Sequence, residues 1–331
     1  MTGNFANLIA LIRKHATWWM GGFLLLIILV VTGFTILRSP AATAAAEKWT
    51  PSGTMVLPAV TSTDTHRLID GTYRMYYGQG DQIVYANSTD AVTFSQPQPT
   101  GIQNDLGKLI SNPAVLEIKS NQWIMIYEES PSQKGPGPSD KSGPPDKSGP
   151  TDKSGPPEPH DLYLATSSDG MNFTKAGLAV DSSKEDSDFA SVANLILMPD
   201  GTVRMYYVCG GQAVCLRTSS DDGHSWIKDP SFQLNEPAGD PDVLHQGNRW
   251  VMYYTNLIPN TNGLYKAVSS DGISWTPLSG QIIRKQNPYG VIVDPDVVVT
   301  PDGSYKMFYG EAPDNNSPID LYSATFKGNI F

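Results

Sequence analysis

The chain has 331 residues, of which 17% are charged, against about 25% in an average globular domain. Its net charge of −10 argues against a nucleic-acid binder, and five His with two Cys exclude a zinc cluster or a disulfide framework. Thirty Gly, 26 Pro and 10% aromatic residues point to short strands joined by turns rather than to helices.

In chain order, the first feature is WWMGGFLLLIILVVTGFTIL at 18–37, an uncharged run long enough to cross a bilayer as a helix. Arg13 and Lys14 precede it and Arg38 follows. This predicts a cytoplasmic N-terminus (1–17), a transmembrane helix (18–37), a linker (38–48) and an exported remainder held at the cell membrane. Ala44-Ala45-Ala46 offers a cleavage site, in which case the run is a long signal segment and the product is secreted. The run exceeds the about 7–15 apolar residues of a signal core, which favours the uncleaved anchor. Residues 47–331 hold 33 acidic and 20 basic residues. Cys209 and Cys215 flank GGQAV at a predicted hairpin, and export allows a disulfide or a reduced pair.

From residue 49 the sequence repeats. GTYRMYYG (71–78), NQWIMIYE (121–128), GTVRMYYV (201–208), NRWVMYYT (248–255) and GSYKMFYG (303–310) share one pattern. Their methionines, Met75, Met125, Met205, Met252 and Met307, lie 50, 80, 47 and 55 residues apart. The long interval contains 131–159, with three Asp-Lys-Ser-Gly-Pro units, a composition that predicts a disordered polyproline-like insert in the second repeat. After each Met strand comes another alternating strand, such as LYLATSS or LYKAVSS, and four of these run into turns such as SSDGMNF and SSDGISW. An apolar run precedes each Met strand. Four antiparallel strands per repeat and five repeats predict an all-β five-bladed propeller over 49–331. The fifth repeat stops after its third strand, while WTPSGTMVL (49–57) matches the fourth-strand segment WTPLSGQII (275–283), so the N-terminal segment should complete the last blade. The insert would then overhang the face where first strands begin, and an anchor would leave from the opposite face.

First strands line the axis of a propeller. Counting back from each Met places Asp64, Ala114, Asn194, Asp242 and Asp296 in a deep ring. Ser62, Asn112, Val192, Asp240 and Asp294 form an upper ring, expected on the same strand face. The ends of the second strands add Gln79, Glu129, Cys209, Asn256 and Glu311, with Glu128 beside them. Five aspartates and up to three glutamates are thus expected around one concavity, where carboxylates raise one another's pKa. His66 and His245 are surface residues or substrate ligands on this reading.

The GDPDV and VDPDV motifs (239–243, 293–297), the Met strands and the SSDGxxW turns resemble the five-bladed propeller glycosidases, the arabinanase, levansucrase and invertase superfamily of glycoside hydrolase families 43 and 32. The resemblance implies an Asp base in the first blade (Asp64), a second Asp that tunes (Asp242 or Asp296) and a Glu acid (Glu311 or Glu129). Asp240, Asp294, Asn112, Asn194, Asn256, Gln79 and His66 would then bind substrate. The sequence departs from the pattern in its middle blades, where Asn112, Ala114, Val192 and Asn194 stand on the axis. Two functions follow: a glycoside hydrolase, or a noncatalytic glycan- or protein-binding propeller on the cell surface. The expected partners are carbohydrate and, through the N-terminal helix, the membrane, with no nucleic acid and a monomeric state. No cofactor is implied, although an axial calcium ion would suit a carboxylate ring.

Overall fold

The computed structural model describes residues 47–60, 62–104, 108–130, 159–258, 263–284, 290–314 and 317–331. The predicted cytoplasmic segment, the span at 18–37 and all but the last residue of the predicted insert at 131–159 lie outside the described residues. Among those described, no helix is long and apolar enough to cross a membrane. Lys48–Phe331 forms one compact unit.

That unit is a five-bladed propeller. After β1 (Thr50–Pro51), blade 1 comprises β2 (Asp64–Arg67), β3 (Tyr73–Gln79), β4 (Gln82–Ser88) and β5 (Gln98–Gln103). Blade 2 comprises β6 (Leu109–Lys119), β7 (Gln122–Ser130), β8 (Asp161–Ser167) and β9 (Thr174–Val180). A one-turn helix, α1 (Ser182–Glu185), leads into blade 3: β10 (Ala190–Leu197), β11 (Val203–Cys209), β12 (Ala213–Ser219) and β13 (Ile227–Lys228). Blade 4 contains β14 (Ala238–Gln246), β15 (Arg249–Asn256), β16 (Gly263–Ser269) and a broken outer strand, β17 (Thr276–Pro277) and β18 (Ile283–Arg284). Blade 5 contains β19 (Val291–Val299), β20 (Tyr305–Ala312) and β21 (Asp320–Phe326), and β1 is its fourth strand.

The closure follows the repeat residue by residue. Pro51 pairs with Ala324 and Leu57 with Leu321, as Pro277 pairs with Ala267 and Ile283 with Leu264 in blade 4. Each second strand is covered on both sides by neighbouring blades, which explains why its residues are apolar without alternation. All five repeat methionines are fully buried. The core divides into five clusters, one at each seam between adjacent blades. At about 1.5–3 kcal/mol per large apolar side chain, these seams are the main source of stability.

The Asp-Gly turns clasp neighbouring blades. Asp169 Oδ1 accepts the N–H groups of Met171 and Asn172, which shapes the blade 2 turn. The Gly170 carbonyl then accepts from Arg74 Nη1 (3.2 Å) and the Tyr76 hydroxyl of blade 1. Arg204 and Tyr206 of blade 3 hold Asp271 and Gly272 of blade 4 in the same way, and Lys306 of blade 5 holds Ala91 of blade 1. Glycine is required at the blade 4 turn: Gly272 has φ +72°, and a Cβ there would fall 2.7 Å from the Tyr206 hydroxyl. Blade 5 has no such turn, and the Ile330 carbonyl takes its place by accepting from Lys266 Nζ at 2.6 Å. Cys209 and Cys215 form a disulfide across the tip of the β11–β12 hairpin.

Candidate active site

The five first strands share a local distortion that sets the site. Ser62, Asn112, Val192, Asp240 and Asp294 have φ of +49°, +53°, +39°, +51° and +54°. In blades 2 to 5 the ladder slips at this point, between Ser111 and Ala114, Ser191 and Asn194, Gly239 and Asp242, and Val293 and Asp296. Each is a bulge with its residue in the left-handed region. This corrects the expectation that upper and deep rings share one face by simple alternation: the bulge, not the pleat, aims the upper residue.

Below the bulges the deep ring laces the blades together. Asp64 Oδ2 accepts the backbone N–H of Val115 in blade 2. Asn194 Oδ1 accepts from Val243 N in blade 4 (3.2 Å), Asp242 Oδ2 from Val297 N in blade 5 (2.9 Å), and Asp296 Oδ1 from Thr65 N in blade 1 (3.2 Å). Four of the five positions therefore carry an acceptor for the next blade. Ala114 has none to offer. Asp242 also accepts from Asn194 Nδ2 (3.0 Å), and Asp296 Oδ2 from the hydroxyls of Thr63 (2.8 Å) and Thr65 (2.6 Å).

Asp64, Asn194, Asp242, Asp294 and Asp296 line one axial cavity of about 20 Å³, with Ser62, Asn112 and Val192. That is room for about one water molecule. A sugar ring can only rest on top of it, with the upper ring as its floor. Burial, and then the charge of Asp64, push Asp296 up to about 7. Burial and the charge of Asp296 hold Asp242 well above the usual carboxylate range. Asp240 is raised by burial and by Asp294 beside it. His66 Nε2 lies 3.0 Å from Asp64 Oδ2; burial lowers its proton affinity, but the Asp64 charge and hydrogen bond more than reverse this.

The predicted second-strand residues do not gather here. Glu129 faces Lys175 (3.6 Å) and the Tyr127 hydroxyl, Asn256 Nδ2 reaches Glu236, and Gln79 is exposed at its hairpin tip. Glu311 sits opposite Ile292 and Asp320 and does not line the cavity. The reason is strand parity. Residues four beyond each Met face the preceding blade, and those three beyond face the next one. The residue at that second offset in blade 2 is Glu128, only 3% exposed. Its Oε2 accepts from Asn112 Nδ2 (2.6 Å) and the Ser191 hydroxyl, and its Oε1 lies 2.7 Å from His160 Nδ1. Glu128, expected only as a neighbour of the second-strand ends, is placed on the face towards blade 3 by counting three residues from the methionine. No local signal pointed to Ser191 or His160. His245, the other histidine singled out, stacks on Trp250 at the far end of its strand.

No protein-family model matches the chain, and no curated protein does. Solved structures match over most of its length. An α-L-arabinofuranosidase from Lactobacillus brevis superimposes with a TM-score of 0.61 at 12% identity, covering 83% of this chain and 93% of its own. A thermostable family-43 glycoside hydrolase gives 0.59 at 14% identity, covering 85% and 96%. An exo-1,5-α-L-arabinanase from a bovine ruminal metagenomic library gives 0.56 at 14% identity, covering 83% and 96%. Likeness at such identities is one of architecture. The chain has the five-bladed propeller fold of the family-43 glycoside hydrolases.

Proposed function

We infer that the protein is a glycoside hydrolase acting on plant or microbial glycan. The observation that carries this reading is the convergence of Asp64, Asp242 and Asp296 on one cavity, two of them with raised proton affinity. Carboxyl groups in different protonation states around one point are what glycoside hydrolysis requires. Asp64 is the base: its two donors fall on Oδ2, and its side chain keeps 19% exposure. Asp296 and Asp242, held towards the protonated form, tune it. Glu129 and Glu311 do not line the cavity, so the proton donor comes from another residue. Asn112 and Asp294 line the cavity and would meet a sugar seated over the axis, whereas His66, expected to bind substrate, lies two residues further down β2 than Asp64, is paired with it and does not line the cavity. An axial calcium ion would find only oxygen donors, and would compete with the protein donors already on both oxygens of Asp242 and Asp296.

The uncharged run at 18–37 supports anchoring in the cell membrane with the propeller outside the cytoplasm, or secretion if the chain is cut near Ala46. The Cys209–Cys215 disulfide is in keeping with an oxidising compartment. A second reading, a noncatalytic glycan-binding propeller, is favoured by Val192 and Ala114, which leave blades 2 and 3 without an axial carboxylate. Assay of the purified full chain on aryl glycosides and polysaccharides separates the two. Turnover abolished by Asp64→Asn is expected; glycan binding without turnover, unchanged in Asp64→Asn, would select the second reading.

A further inference from the structure

The blades differ in what their third strands present to the next seam. Opposite the residue that follows each repeat methionine stand Tyr85, Leu164, Leu216, Lys266 and Ser323, in blades 1 to 5. Opposed residues share a sheet face, so blade 5 meets blade 1 with the smallest side chain of the five. The residue before the methionine widens the difference. In blades 1 and 3 it is an arginine, and Arg74 spreads its guanidinium over Asn87 Oδ1 (3.0 Å) and the Gly170 carbonyl (3.2 Å). In blade 5 it is Lys306, whose ammonium makes one hydrogen bond, 2.6 Å long, to the Ala91 carbonyl.

The space left over is a hollow of about 330 Å³ between β1 and β21 on one side and Val92 of blade 1 on the other. That is within the about 300–1,000 Å³ of small-molecule sites. Its inner wall holds Lys306 and Ser323, which are 6% and 3% exposed. Met55 and Val92 line it as well, and both stay open to solvent. The hydroxyls of Thr50, Thr54 and Thr325 line it without a protein partner among the described residues. Asp90 is the carboxylate whose charge acts on Lys306, but its Oδ1 is committed to Ser88, Val92 N and Thr93 N of its own turn. Burial lowers the proton affinity of Lys306, with the Asp90 charge opposing. An ammonium has three donors, and this one spends a single donor on the protein. A buried cation without a counter-charge gains most from an anion that can reach it.

We propose that this hollow is a noncatalytic binding site for a sugar carboxylate, a uronate unit of an acidic glycan. The carboxylate accepts from Lys306 Nζ, the sugar hydroxyls bond to the threonines, and the C–H face of the ring covers Met55 and Val92. A neutral sugar would leave the ammonium unpaired, and an aliphatic acid would leave the threonine hydroxyls unmatched. None of these residues lines the axial cavity, so the site stands independently of the glycoside hydrolase reading.

The test is calorimetric titration of the purified full chain with oligosaccharides bearing galacturonate or glucuronate, each beside its methyl ester. At least one free acid should bind about 10-fold or more tightly than its ester, and acetate at the same concentration should not displace it. Lys306→Met and Ser323→Leu should each weaken that binding by about 10-fold or more. Ser323→Leu installs the side chain that blades 2 and 3 carry and leaves the Lys306 clasp in place, so it decides if Lys306→Met does not fold. No binding of either acid, equal binding of acid and ester, displacement by acetate, or undiminished binding in Ser323→Leu would overturn the site. Binding lost in Asp64→Asn but kept in Ser323→Leu would move the carboxylate to the axis and overturn it as well. A wild-type chain that binds the uronide as expected and turns over no glycoside would remove the hydrolase reading and leave this site standing.

Discussion

At the axis, the seam between blades 2 and 3 is built differently from the seams that leave blades 1, 3, 4 and 5. In those four, a short Asp or Asn accepts a backbone N–H of the next blade. Such a bond does not depend on the side chains of the neighbour. Blade 2 has Ala114 at that position, and its link to blade 3 is instead made by two side chains, Glu128 and Asn112, which both meet the Ser191 hydroxyl. The difference shows where a repeat protein has freedom to specialise. The position released from lacing is the one beside which a buried carboxylate and an imidazole have been placed.

Removing each kind of link tests this contrast. Glu128→Ala leaves Asn112, Ser191 and His160 facing an empty site and should cost about 3–5 kcal/mol, as for breaking a buried ion pair. Asp64→Ala orphans the Val115 N–H and takes the carboxylate from His66, while relieving repulsion on Asp296, and should cost about 1–3 kcal/mol. Denaturant unfolding of both variants gives the comparison, and equal costs would erase the distinction between the seams.

The laced ring should also show itself in pH dependence. Asp296 titrates near 7 in the folded state, above its ordinary 3.8, so the folded protein binds that proton more tightly than the unfolded chain. Stability from this group is full below about pH 4 and is lost as pH rises through about 7. Melting temperature should therefore fall by several degrees between about pH 4 and 8, and Asp296→Asn, which keeps an acceptor for Thr65, should flatten the slope. A variant that melts with an unchanged slope would show that Asp296 is not the group behind the pH dependence. The smallest effect is expected at the bulge of blade 3. Val192 is β-branched and sits at φ +39°, where asparagine serves in blade 2. Val192→Asn should gain about 1 kcal/mol in unfolding free energy.

The propeller was legible because each repeat carries its methionine at a fixed place in a strand sandwiched between blades, so burial writes the same residues five times. The strand exchange at closure was legible for the same reason, since WTP recurs at 49–51 and 275–277. The deep ring was found by counting, and Asp64, Asn194, Asp242 and Asp296 do meet. Counting failed where the backbone leaves the pleat. The bulges at the upper ring undo period-two alternation, and an offset of four instead of three put Glu129 ahead of Glu128. His160 lies 32 residues from Glu128 and is joined to it only by the fold.

The pairing of β1 with β21 joins Ser52 to Ser323, which are 271 residues apart in the chain. Loop closure over that distance is a late and slow event, and four blades can assemble while the fifth still lacks its outer strand. During synthesis the first strand made has no partner until the last one emerges, and until then it must be kept from pairing with a neighbouring chain. Closure thus works as a length check: a chain truncated before β21 leaves the ring open and β1 exposed.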